Sequence, residues 1–359
     1  MKPSVLHITF WSDIRHRYGS VQKIMLTLAG AARAWRHDIA CLGAVGEEDF
    51  VFKGVRCHPF WENRWKNRVF NKWLGLDVFT HDAVVDVIER LRPDVLHIHN
   101  RQDKVDALLA RLSYRPGVVV HYHRDFPVPS SPRGGDRLLA PSRALADALI
   151  AKGLDAGRVA VAHNPLTQDL IDAARQRPDE AFHRSEGGVV FLYGGGNFEH
   201  KGLQDLLAAR RRLDRPHELW LAGSGYEEIT PEPGVRILGE LGNETFLDAI
   251  SQADIVVVPS HREAFGLVAL ETMLLGRLLV ASKVGGLEEV TGHDTAIQVA
   301  PGSVESLAAG LERALDLCDR PADKASLLDR AKRRTEDFRP ECIIARLEAI
   351  YDEVLNLRA

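Results

Sequence analysis

The sequence predicts an α/β protein made of two doubly wound domains in tandem. Short runs of β-branched and other apolar residues alternate with segments of helical length, and this alternation indicates parallel sheets covered by helices on both faces. The alternation is interrupted by a charged stretch around residues 175–188 and then resumes. At 359 residues the chain also exceeds the size at which one hydrophobic core usually stops growing, so two domains are the default expectation.

The predicted strands form two sets in chain order. In the first set they are VLHITF (5–10), DIACLG (38–43), DVLHIH (94–99), GVVVHYH (117–123), RLLAPS (137–142) and RVAVAHN (158–164). In the second set they are VVFLYGGG (189–196), ELWLAGSG (218–225), GVRILG (234–239), ADIVVVPS (253–260) and RLLVAS (277–282). We expect an N-terminal domain over residues 1–165, a second domain over 166–338, and a helix at 339–359 that packs back toward the first domain. Open α/β sheets bind ligands beyond the carboxyl ends of their strands, so two facing sheets would form one cleft.

Composition narrows the class of protein. The formal net charge of −4 gives no general attraction for nucleic acid. The four cysteines lack the spacing of a metal site or a disulfide framework, which suits a reducing compartment. The first apolar run is too short for a signal peptide, and no stretch of about 18 uncharged apolar residues could span a bilayer. These features predict a cytoplasmic protein.

The segment PSHREAFGLVALETMLLGRLLVAS (259–282) carries the strongest chemical signal. A strand ends at Pro259, Glu263 lies in a loop, and a helix opens near Gly266 with Glu271 about one turn inside. The N–H groups and the dipole of such a helix opening attract an anion, and Gly266 lets a phosphate approach the backbone. The two carboxylates would repel phosphate. We therefore expect them to accept hydrogen bonds from sugar hydroxyls, Glu263 from the transferred sugar and Glu271 from a ribose.

Glu263 and Glu271 reproduce the E-x7-E element of the retaining glycosyltransferases of family 4. The segments DVLHIHN and VVVHYHRD resemble paired strands of that family's first domain, APSRALADALI and RVAVAHN resemble its crossover to the second domain, and VGGLEEV resembles the segment after the E-x7-E helix. The likeness covers nearly the whole chain. It implies the GT-B fold, in which two Rossmann-like domains face each other. It also implies retention of configuration, with the departing phosphate taking the acceptor's proton and no dedicated nucleophile.

The resemblance implies a role for several residues of the second domain. Glu263 would bind the donor sugar, Glu271 the nucleotide ribose, and Lys201 would neutralise the diphosphate. Backbone leading to Gly239 would read the base. The amides that would hold the distal phosphate and sugar belong to Phe265, Gly266, Leu267 and Val268.

In the first domain, His123 matches the family's histidine that touches the reacting sugar. Gly19 and Ser20 match the double glycine near the phosphates, with serine in the second place. Three further histidines are more typical of structural positions, namely His97, His99 and His121.

One further departure from the family pattern matters for the diphosphate. The family usually has an arginine six residues before its lysine, and Gly195 occupies that place. The run 195–202 resembles instead a Gly-x-Asp-Phe-x-x-Lys-Gly run of some lipopolysaccharide glucosyltransferases. Phosphate charge would then be met by Lys201, with help from Arg262 or His200. The donor-binding residues expected in this part of the chain are Gly195, Gly196, Asn197 and Arg262.

We expect neither a metal nor a cofactor. The sequence has no Asp-x-Asp pair of the kind that holds a magnesium ion and a diphosphate together, whereas fixed cations and helix amides can stabilise a departing diphosphate. Glycines 194–196 do not match the dinucleotide-binding fingerprint, which disfavours a dehydrogenase.

The segment WENRWKNRVFNKW (61–73) repeats tryptophan and cations at nearly four-residue intervals. A helix here would carry an apolar stripe edged by positive charge, which suits the surface of an anionic membrane. Alternatively, the tryptophans pack on their own domain and leave a solvated basic face, or the segment grips an anionic soluble acceptor. The residues of this candidate surface are Trp61, Arg64, Trp65, Arg68, Lys72 and Trp73.

These observations together predict a transferase. It would move a sugar from a nucleotide-diphosphate sugar, with a UDP-sugar favoured, to a hydroxyl of a cell-envelope glycan or glycolipid. It would act in the cytoplasm or on the inner face of the cytoplasmic membrane. The alternatives are a sugar-nucleotide epimerase of the same fold, which would convert the donor without an acceptor, and a non-catalytic nucleotide-sugar-binding scaffold.

Overall fold

The computed structural model describes residues 2–10, 13–15, 19–61, 81–124, 134–176, 182, 188–227, 229 and 232–358. The chain divides into two compact units. The first comprises Met1–Pro165 and Pro340–Ala359, and the second comprises Leu166–Arg339. The C-terminal segment therefore belongs to the same unit as the N-terminus.

Each unit is built on one sheet, and every strand pair is parallel except the pair at one edge of the first sheet. The strands of the first unit are β1 (Ser4–Ile8), β2 (Arg36–Leu42), β3 (Phe50–Phe52), β4 (Val55–Phe60), β5 (Val95–His99), β6 (Gly117–His121), β7 (Arg137–Ala140) and β8 (Val159–Val161). Those of the second are β9 (Val189–Gly194), β10 (His217–Ala222), β11 (Val235–Gly239), β12 (Ile255–Val258), β13 (Leu278–Ser282) and β14 (Ile297–Val299). The spatial orders are β3-β4-β2-β1-β5-β6-β7-β8 and β11-β10-β9-β12-β13-β14.

Helices separate most of the strands along the chain. The described α-helices are α1 (Ser20–Ala31), α2 (His81–Leu91), α3 (Val105–Leu109), α4 (Arg143–Ala151), α5 (Gln168–Ala173), α6 (Leu203–Arg210), α7 (Asn243–Gln252), α8 (Leu267–Leu274), α9 (Gly285–Thr291), α10 (Val304–Cys318), α11 (Pro321–Thr335) and α12 (Pro340–Asn356). No helix in the described part of the chain combines the length and the apolar character needed to cross a membrane.

The predicted α/β class with parallel sheets is confirmed, and each predicted strand run corresponds to a strand of the structure. Three strands are missing from the prediction. β14 is a three-residue edge strand, too short to give a pattern. β3 and β4 form an antiparallel hairpin whose two turn residues, Lys53 and Gly54, have φ of 48° and 79°. Positive φ at both positions is typical of the tight hairpin turn that matches strand twist, and Lys-Gly between apolar runs was its sequence signal.

Alternation along the strands explains why both faces of each sheet must be covered. In the second unit, Leu192 and Trp220 enter the core on one face of the sheet, whereas Phe191 and Leu219 enter the core on the other. Successive side chains of a strand point to opposite faces, so an uninterrupted apolar run fills two cores at once. Residues free to bind a ligand are then left mainly at the strand ends.

Strand order reverses beside the first strand of each unit. β1 lies between β2 and β5, and β9 lies between β10 and β12. In doubly wound sheets the connections leave toward opposite faces at this point, and a crevice opens at the carboxyl ends of the strands. The loops that carry the predicted residues of the second unit follow β9 and β12, which are the two strands at its switch point.

Candidate active site

The loop after β12 leads directly into the N-terminus of α8. Gly266 caps the helix with φ of 106°, a left-handed conformation that favours glycine. A Cβ atom at Gly266 would also lie 2.8 Å from Cδ1 of Leu287. No side chain caps α8, and the first N–H groups of any α-helix lack partners within the helix. The structure therefore places the predicted phosphate-binding residues 265–268 at an uncapped, electropositive helix terminus.

Two of the predicted catalytic residues are in direct contact. Nζ of Lys201 lies 2.7 Å from Oε2 of Glu263, and the two side chains are 28% and 16% exposed. Lys201 ends a short 3₁₀ turn after β9, and Glu263 follows β12, so neighbouring strands bring the pair together. The contact joins the cation expected at the diphosphate to the acid expected at the transferred sugar.

Backbone contacts fix the loops that carry this ion pair. The N–H of His261 donates to the carbonyl of His200 at 2.9 Å, which ties the loop after β12 to the turn after β9. Gly202 has φ of 71°, and a Cβ atom there would lie 2.1 Å from the carbonyl oxygen of Pro259. Only glycine permits this approach, so the two loops are held side by side at the switch point.

Gly285 and Gly286, the two glycines of the VGG segment at the start of α9, also allow close contact between backbone segments. The N–H of Gly286 donates to the carbonyl of Glu263 at 3.0 Å. A Cβ atom at Gly285 would lie 2.4 Å from that same carbonyl oxygen, and one at Gly286 would lie 2.3 Å from the carbonyl oxygen of Ala264. The segment therefore supports the Glu263 loop through its backbone, a role that its resemblance to the family segment did not specify.

Glu271 lies on the same helix as the predicted phosphate amides. It is 8% exposed and stands four residues after Leu267 in α8, so both occupy one helix face. The predicted contact of Glu271 with a ribose stays a prediction.

The turn after β9 shows why position 195 lacks the family's arginine. A Cβ atom at Gly195 would lie 2.9 Å from the hydroxyl oxygen of Tyr193. That hydroxyl donates to the carbonyl of Gly196 at 2.8 Å, and the N–H of Gly196 donates to the hydroxyl of Tyr226 at 3.1 Å. Burial raises the pKa of both tyrosines, that of Tyr226 to about 12, so both hydroxyls are neutral at pH 7. Tyr193 thus fills the space that a side chain at position 195 would need.

Neither tyrosine was identified from the sequence. Tyr193 lies in the buried strand β9 and reads as a core residue, and Tyr226 follows a glycine-rich turn. The only available signal was a tyrosine two residues before the glycine that replaces the arginine.

Further backbone bonds gather the other donor-binding candidates at the same sheet edge. The N–H of Asn197 donates to the carbonyl of Ser224 at 2.8 Å, and the N–H of Gly223 donates to the carbonyl of Gly239 at 2.8 Å. These bonds join the carboxyl ends of β9, β10 and β11. The structure therefore brings Gly195, Gly196, Asn197 and Gly239 into one continuous edge with Lys201.

The cations predicted near the diphosphate are not equivalent. Burial lowers the pKa of His200, and the charges of Lys201 and Arg262 lower it further. His200 is therefore neutral at pH 7 and supplies a hydrogen-bonding group. Arg262 is exposed beside Glu263, so Lys201 and Arg262 are the charged candidates.

In the first unit, His123 follows β6 and is only partly buried. Its backbone N–H donates to Oδ1 of Asn100 at 2.8 Å. Its ring atom Nε2 lies 2.9 Å from Nδ1 of His99. Burial lowers the pKa of His123 to about 3, so the ring is neutral at pH 7. Its Nδ1 has no hydrogen-bond partner among the described residues.

Gly19 and Ser20 lie at the N-terminus of α1. Gly19 is the N-cap residue with φ of −84°, a conformation open to any residue, and Ser20 is the first helical residue. Both are exposed, and no side chain caps the helix. The position supplies an uncapped helix terminus, and its predicted place near the phosphates stays a prediction.

His123 belongs to a stack of imidazole rings on one face of the first sheet. His7 pairs in register with His97, and His99 with His121, so alternation along parallel strands puts the rings on one face. The stack comprises His7, His37, His97, His99, His121 and His123. Sequence reasoning included neither His7 nor His37, because they lie on strands far away in the chain.

The stack also contains two groups with the composition of a metal site. One ring nitrogen each of His7, His97 and His99 lie within 4.8 Å of one another, as do those of His99, His121 and His123. However, the rings of His97 and His99 stack with centroids 4.3 Å apart and planes 20° apart, and two links join ring nitrogens to each other. This geometry favours ring-to-ring contact over convergence of lone pairs on one ion. The expectation that no metal takes part stays a prediction.

Only Trp61 of the candidate surface 61–73 falls within the described residues. It is 42% exposed and comes directly after β4. The rest of the candidate surface lies outside the described residues, namely Arg64, Trp65, Arg68, Lys72 and Trp73.

Comparison with known families assigns one match to each unit. The family model "Glycosyltransferase Family 4" matches residues 21–169, and the model "Glycosyl transferases group 1" matches residues 188–316. The second match contains the Lys201–Glu263 pair and the N-terminus of α8.

Among curated relatives, glycogen synthase of Mycobacterium tuberculosis is 34% identical over 194 residues, which cover 50% of this chain and 46% of the relative. The lipopolysaccharide 1,2-N-acetylglucosaminetransferase of Salmonella typhimurium is 26% identical over 312 residues, covering 77% of this chain and 80% of the relative. The match to the more identical relative therefore spans less than half of that protein.

Solved structures extend the likeness to the whole fold. A glycosyltransferase from Rickettsia africae superposes with a TM-score of 0.78 at 17% identity, covering 99% of both chains. Anabaena HepE in complex with UDP-glucose superposes with a TM-score of 0.72 at 18% identity, covering 98% of this chain and 99% of HepE. These likenesses confirm the predicted GT-B fold. The two family matches, one in each unit, support a family-4-like glycosyltransferase.

Proposed function

We propose that this protein is a retaining glycosyltransferase that uses a nucleotide-diphosphate sugar. The observation that carries the proposal is the contact between Lys201 and Glu263 beside the uncapped N-terminus of α8, at the switch point of the second unit. Lys201 and the amides of α8 offer positive charge and N–H donors for a diphosphate. Glu263, which contacts Lys201, offers a carboxylate for a sugar. A diphosphate sugar is the class of ligand that combines these groups.

In this proposal the residues act by binding and by stabilising charge. As the bond between the sugar carbon and the phosphate oxygen breaks, negative charge grows on the diphosphate. Lys201 and the amides of residues 266–268 stabilise it. The acceptor oxygen forms its bond to the sugar carbon on the face that the phosphate leaves, and its proton passes to a phosphate oxygen. Glu263 and Glu271 hold hydroxyls of the sugar and the ribose.

The donor in this proposal is a UDP-sugar. The structural likeness to a protein solved with UDP-glucose supports this base and this class of donor. Backbone at the end of β11, which stops at Gly239, would contact the base. Fixed cations make a metal unnecessary, so we propose that transfer is metal-independent and continues in the presence of EDTA.

The acceptor in this proposal is a hydroxyl of a cell-envelope glycan or glycolipid. Support comes from the lipopolysaccharide transferase of Salmonella typhimurium, whose match extends over 77% of this chain. Tryptophans and cations at 61–73 would bring the enzyme to an anionic membrane as a peripheral protein. Sedimentation with anionic vesicles tests this part. A variant with Trp61, Trp65 and Trp73 all changed to alanine should stay in the supernatant, and undiminished sedimentation would contradict it.

The test of the function has two stages. A thermal-shift panel of nucleotides and nucleotide sugars identifies the donor, because a ligand that binds only the folded state raises the melting temperature with concentration. Release of nucleotide diphosphate is then measured with and without lipopolysaccharide or lipid-linked glycan acceptors. Acceptor-dependent release supports a transferase. Conversion of the donor sugar without an acceptor would show an epimerase, and binding without turnover would show a scaffold.

A further inference from the structure

Four histidines of the first unit form a continuous chain that ends at His123. Nε2 of His7 lies 2.9 Å from Nδ1 of His37, and Nδ1 of His7 lies 3.1 Å from Nε2 of His99. Nδ1 of His99 lies 2.9 Å from Nε2 of His123. Every link joins Nδ1 of one ring to Nε2 of the next, so the chain has a single direction.

Each ring of the chain is neutral at pH 7. Burial lowers the pKa of His7 and His99 well below the usual value, that of His37 to about 4 and that of His123 to about 3. A neutral imidazole carries one N–H and one lone pair, so it can donate at only one nitrogen. The position of the proton on one ring therefore determines its position on all four rings. Either every ring carries its proton on Nε2, or every ring carries it on Nδ1.

The two ends of the chain have different surroundings. At one end, Nε2 of His37 lies 3.9 Å from Oε1 of Glu348 on α12, which is too far for a hydrogen bond, so Glu348 acts on this ring through its charge. Glu348 is 8% exposed, and its Oε1 accepts from the backbone N–H of Trp35 at 3.1 Å. At the other end, Nδ1 of His123 is likewise a buried atom without a hydrogen-bond partner among the described residues.

The negative charge of a nearby carboxylate favours an N–H group pointing toward it and disfavours a lone pair. Glu348 therefore favours the proton of His37 on Nε2. His37 then accepts at Nδ1 from His7, His7 accepts at Nδ1 from His99, and His99 accepts at Nδ1 from His123. This order leaves a lone pair on Nδ1 of His123.

We propose that Glu348, acting through His37, His7 and His99, fixes the tautomer of His123 and leaves a lone pair on its Nδ1. Glu348, His37, His7 and His99 are positioning residues, and none needs to touch a substrate. Use of this lone pair by a sugar hydroxyl rests on the proposed function and requires the side chains that cover Nδ1 to move aside. The tautomer itself is a property of the free protein.

The rings of His97 and His121 lie beside the chain of four histidines but are not part of it. Nδ1 of His97 lies 2.6 Å from the hydroxyl oxygen of Tyr351, which also lies on α12. The ring of His121 stacks on that of His123 with centroids 4.1 Å apart, and both of its nitrogens are unpartnered among the described residues. Their tautomers are therefore not set by the chain.

The test is nitrogen NMR of the full chain labelled with 15N-histidine, which distinguishes Nδ1–H from Nε2–H rings and both from protonated or metal-bound rings. We expect His7, His37, His99 and His123 all to carry the proton on Nε2, by about tenfold over the other tautomer, as the charge of a carboxylate at this distance can produce. Assignments come from single His→Asn variants. A predominant Nδ1–H tautomer at any of the four positions, or shifts on adding zinc that show these nitrogens binding metal, would overturn the proposal.

The variant E348Q removes the charge and keeps the shape, and its amide N–H₂ can donate to His37. We expect the Nδ1–H tautomer at His123 to rise severalfold. The matched control is E353Q on the same helix, where Glu353 is exposed and pairs with Arg137. An unchanged tautomer in a folded E348Q protein would contradict the proposal. If E348Q does not fold, the tautomers of the wild-type protein still decide the question. Correct tautomers without sugar transfer would reject only the function, whereas transfer with the other tautomer would reject only this inference.

Discussion

Gly195 stands where the family usually has an arginine, and packing accounts for this departure. Because a Cβ atom there would lie 2.9 Å from the hydroxyl oxygen of Tyr193, the turn can hold either a side chain at 195 or the tyrosine in its present position. The tyrosine holds the turn through its bond to the carbonyl of Gly196. The chain thus has a neutral hydrogen-bonded turn where the family has a cation.

We expect G195A to lower the free energy of unfolding by about 1–3 kcal/mol, because the added methyl group displaces Tyr193 from its hydrogen bond. Urea unfolding measures the change. The control is G30A, since Gly30 lies within α1 with nothing near its Cβ position, and alanine there should stabilise by about 0.5–1 kcal/mol. Wild-type stability of G195A would show that the turn has room for a side chain.

Lys201 should matter far more for activity than for stability. K201A removes the cation expected to stabilise the departing diphosphate, so we expect kcat to fall by about 10²–10³-fold. Its ion pair with Glu263 is partly exposed, and its loss should cost at most about 1 kcal/mol of folding free energy.

The matched control for K201A is K283A, which removes an exposed ion pair with Glu288 in the same unit. Initial rates of acceptor-dependent nucleotide release and melting temperatures are compared for both variants. Activity of K201A within about twofold of wild type would remove Lys201 from the proposed mechanism.

Among whole elements, strands β1, β5 and β6 concentrate buried histidines and so make the first unit sensitive to acid. The folded protein lowers the pKa of these histidines, whereas in the unfolded chain they titrate near 6.5. Below about pH 6.5 the unfolded state therefore binds more protons. The free energy of unfolding should fall with pH by up to about 1.4 kcal/mol per unit for each ring, and for His37 the fall ends near pH 4.

Urea unfolding between about pH 7.5 and about pH 5 measures this slope. Replacing the buried His121 by asparagine should reduce this slope. Asp49, whose pKa Arg90 lowers to about 2, loses its contribution only at lower pH and does not obscure the result. A transition midpoint that does not move over this range would contradict the assignment of neutral, buried rings.

We expect helix α12 to be required for the stability of the first unit and not for that of the second. It buries its apolar face within the first unit, and a Cβ atom at Gly117 of β6 would lie only 2.6 Å from Cγ1 of Val354. The buried side chains on this helix include Ile343, Ile344, Leu347, Tyr351 and Val354. A chain ending at residue 339 would expose the sheet face that these residues cover.

We expect the truncated chain to lose hydrogen-exchange protection in β1, β5 and β6, while β9 and β12 remain protected because their unit is complete. The full-length chain is the control. Retained protection in β5 and β6 would show that α12 does not stabilise the first unit.

A feature could be predicted from the sequence when the residues that form it are close together in the chain. The buried strand β12 is a continuous apolar run, and Glu263 and Glu271 stand within one segment, so all were found. The hairpin β3–β4 depends on a two-residue turn with weak local preference. Tyr193 acts through a hydrogen bond to a turn, and the imidazole stack joins residues up to 116 positions apart (His7 and His123), so neither has a local pattern.

For the molecule as a whole, the two units divide the chemistry. The second unit holds Lys201, Glu263 and Glu271 at its switch point, and the first holds His123 at the end of the histidine chain. Most of the proposed donor-binding residues lie in the second unit, and the contact between Lys201 and Glu263 joins two residues of that unit.

The most direct test is calorimetric titration of UDP, GDP and ADP into the wild-type protein and K201A. We predict that at least one of these nucleotides binds the wild-type protein, and that K201A weakens its binding by about tenfold or more through loss of a charge-assisted contact to the diphosphate. Failure of all three nucleotides to bind the wild-type protein, or equal affinity in K201A, would contradict the placement of the diphosphate beside Lys201 and α8.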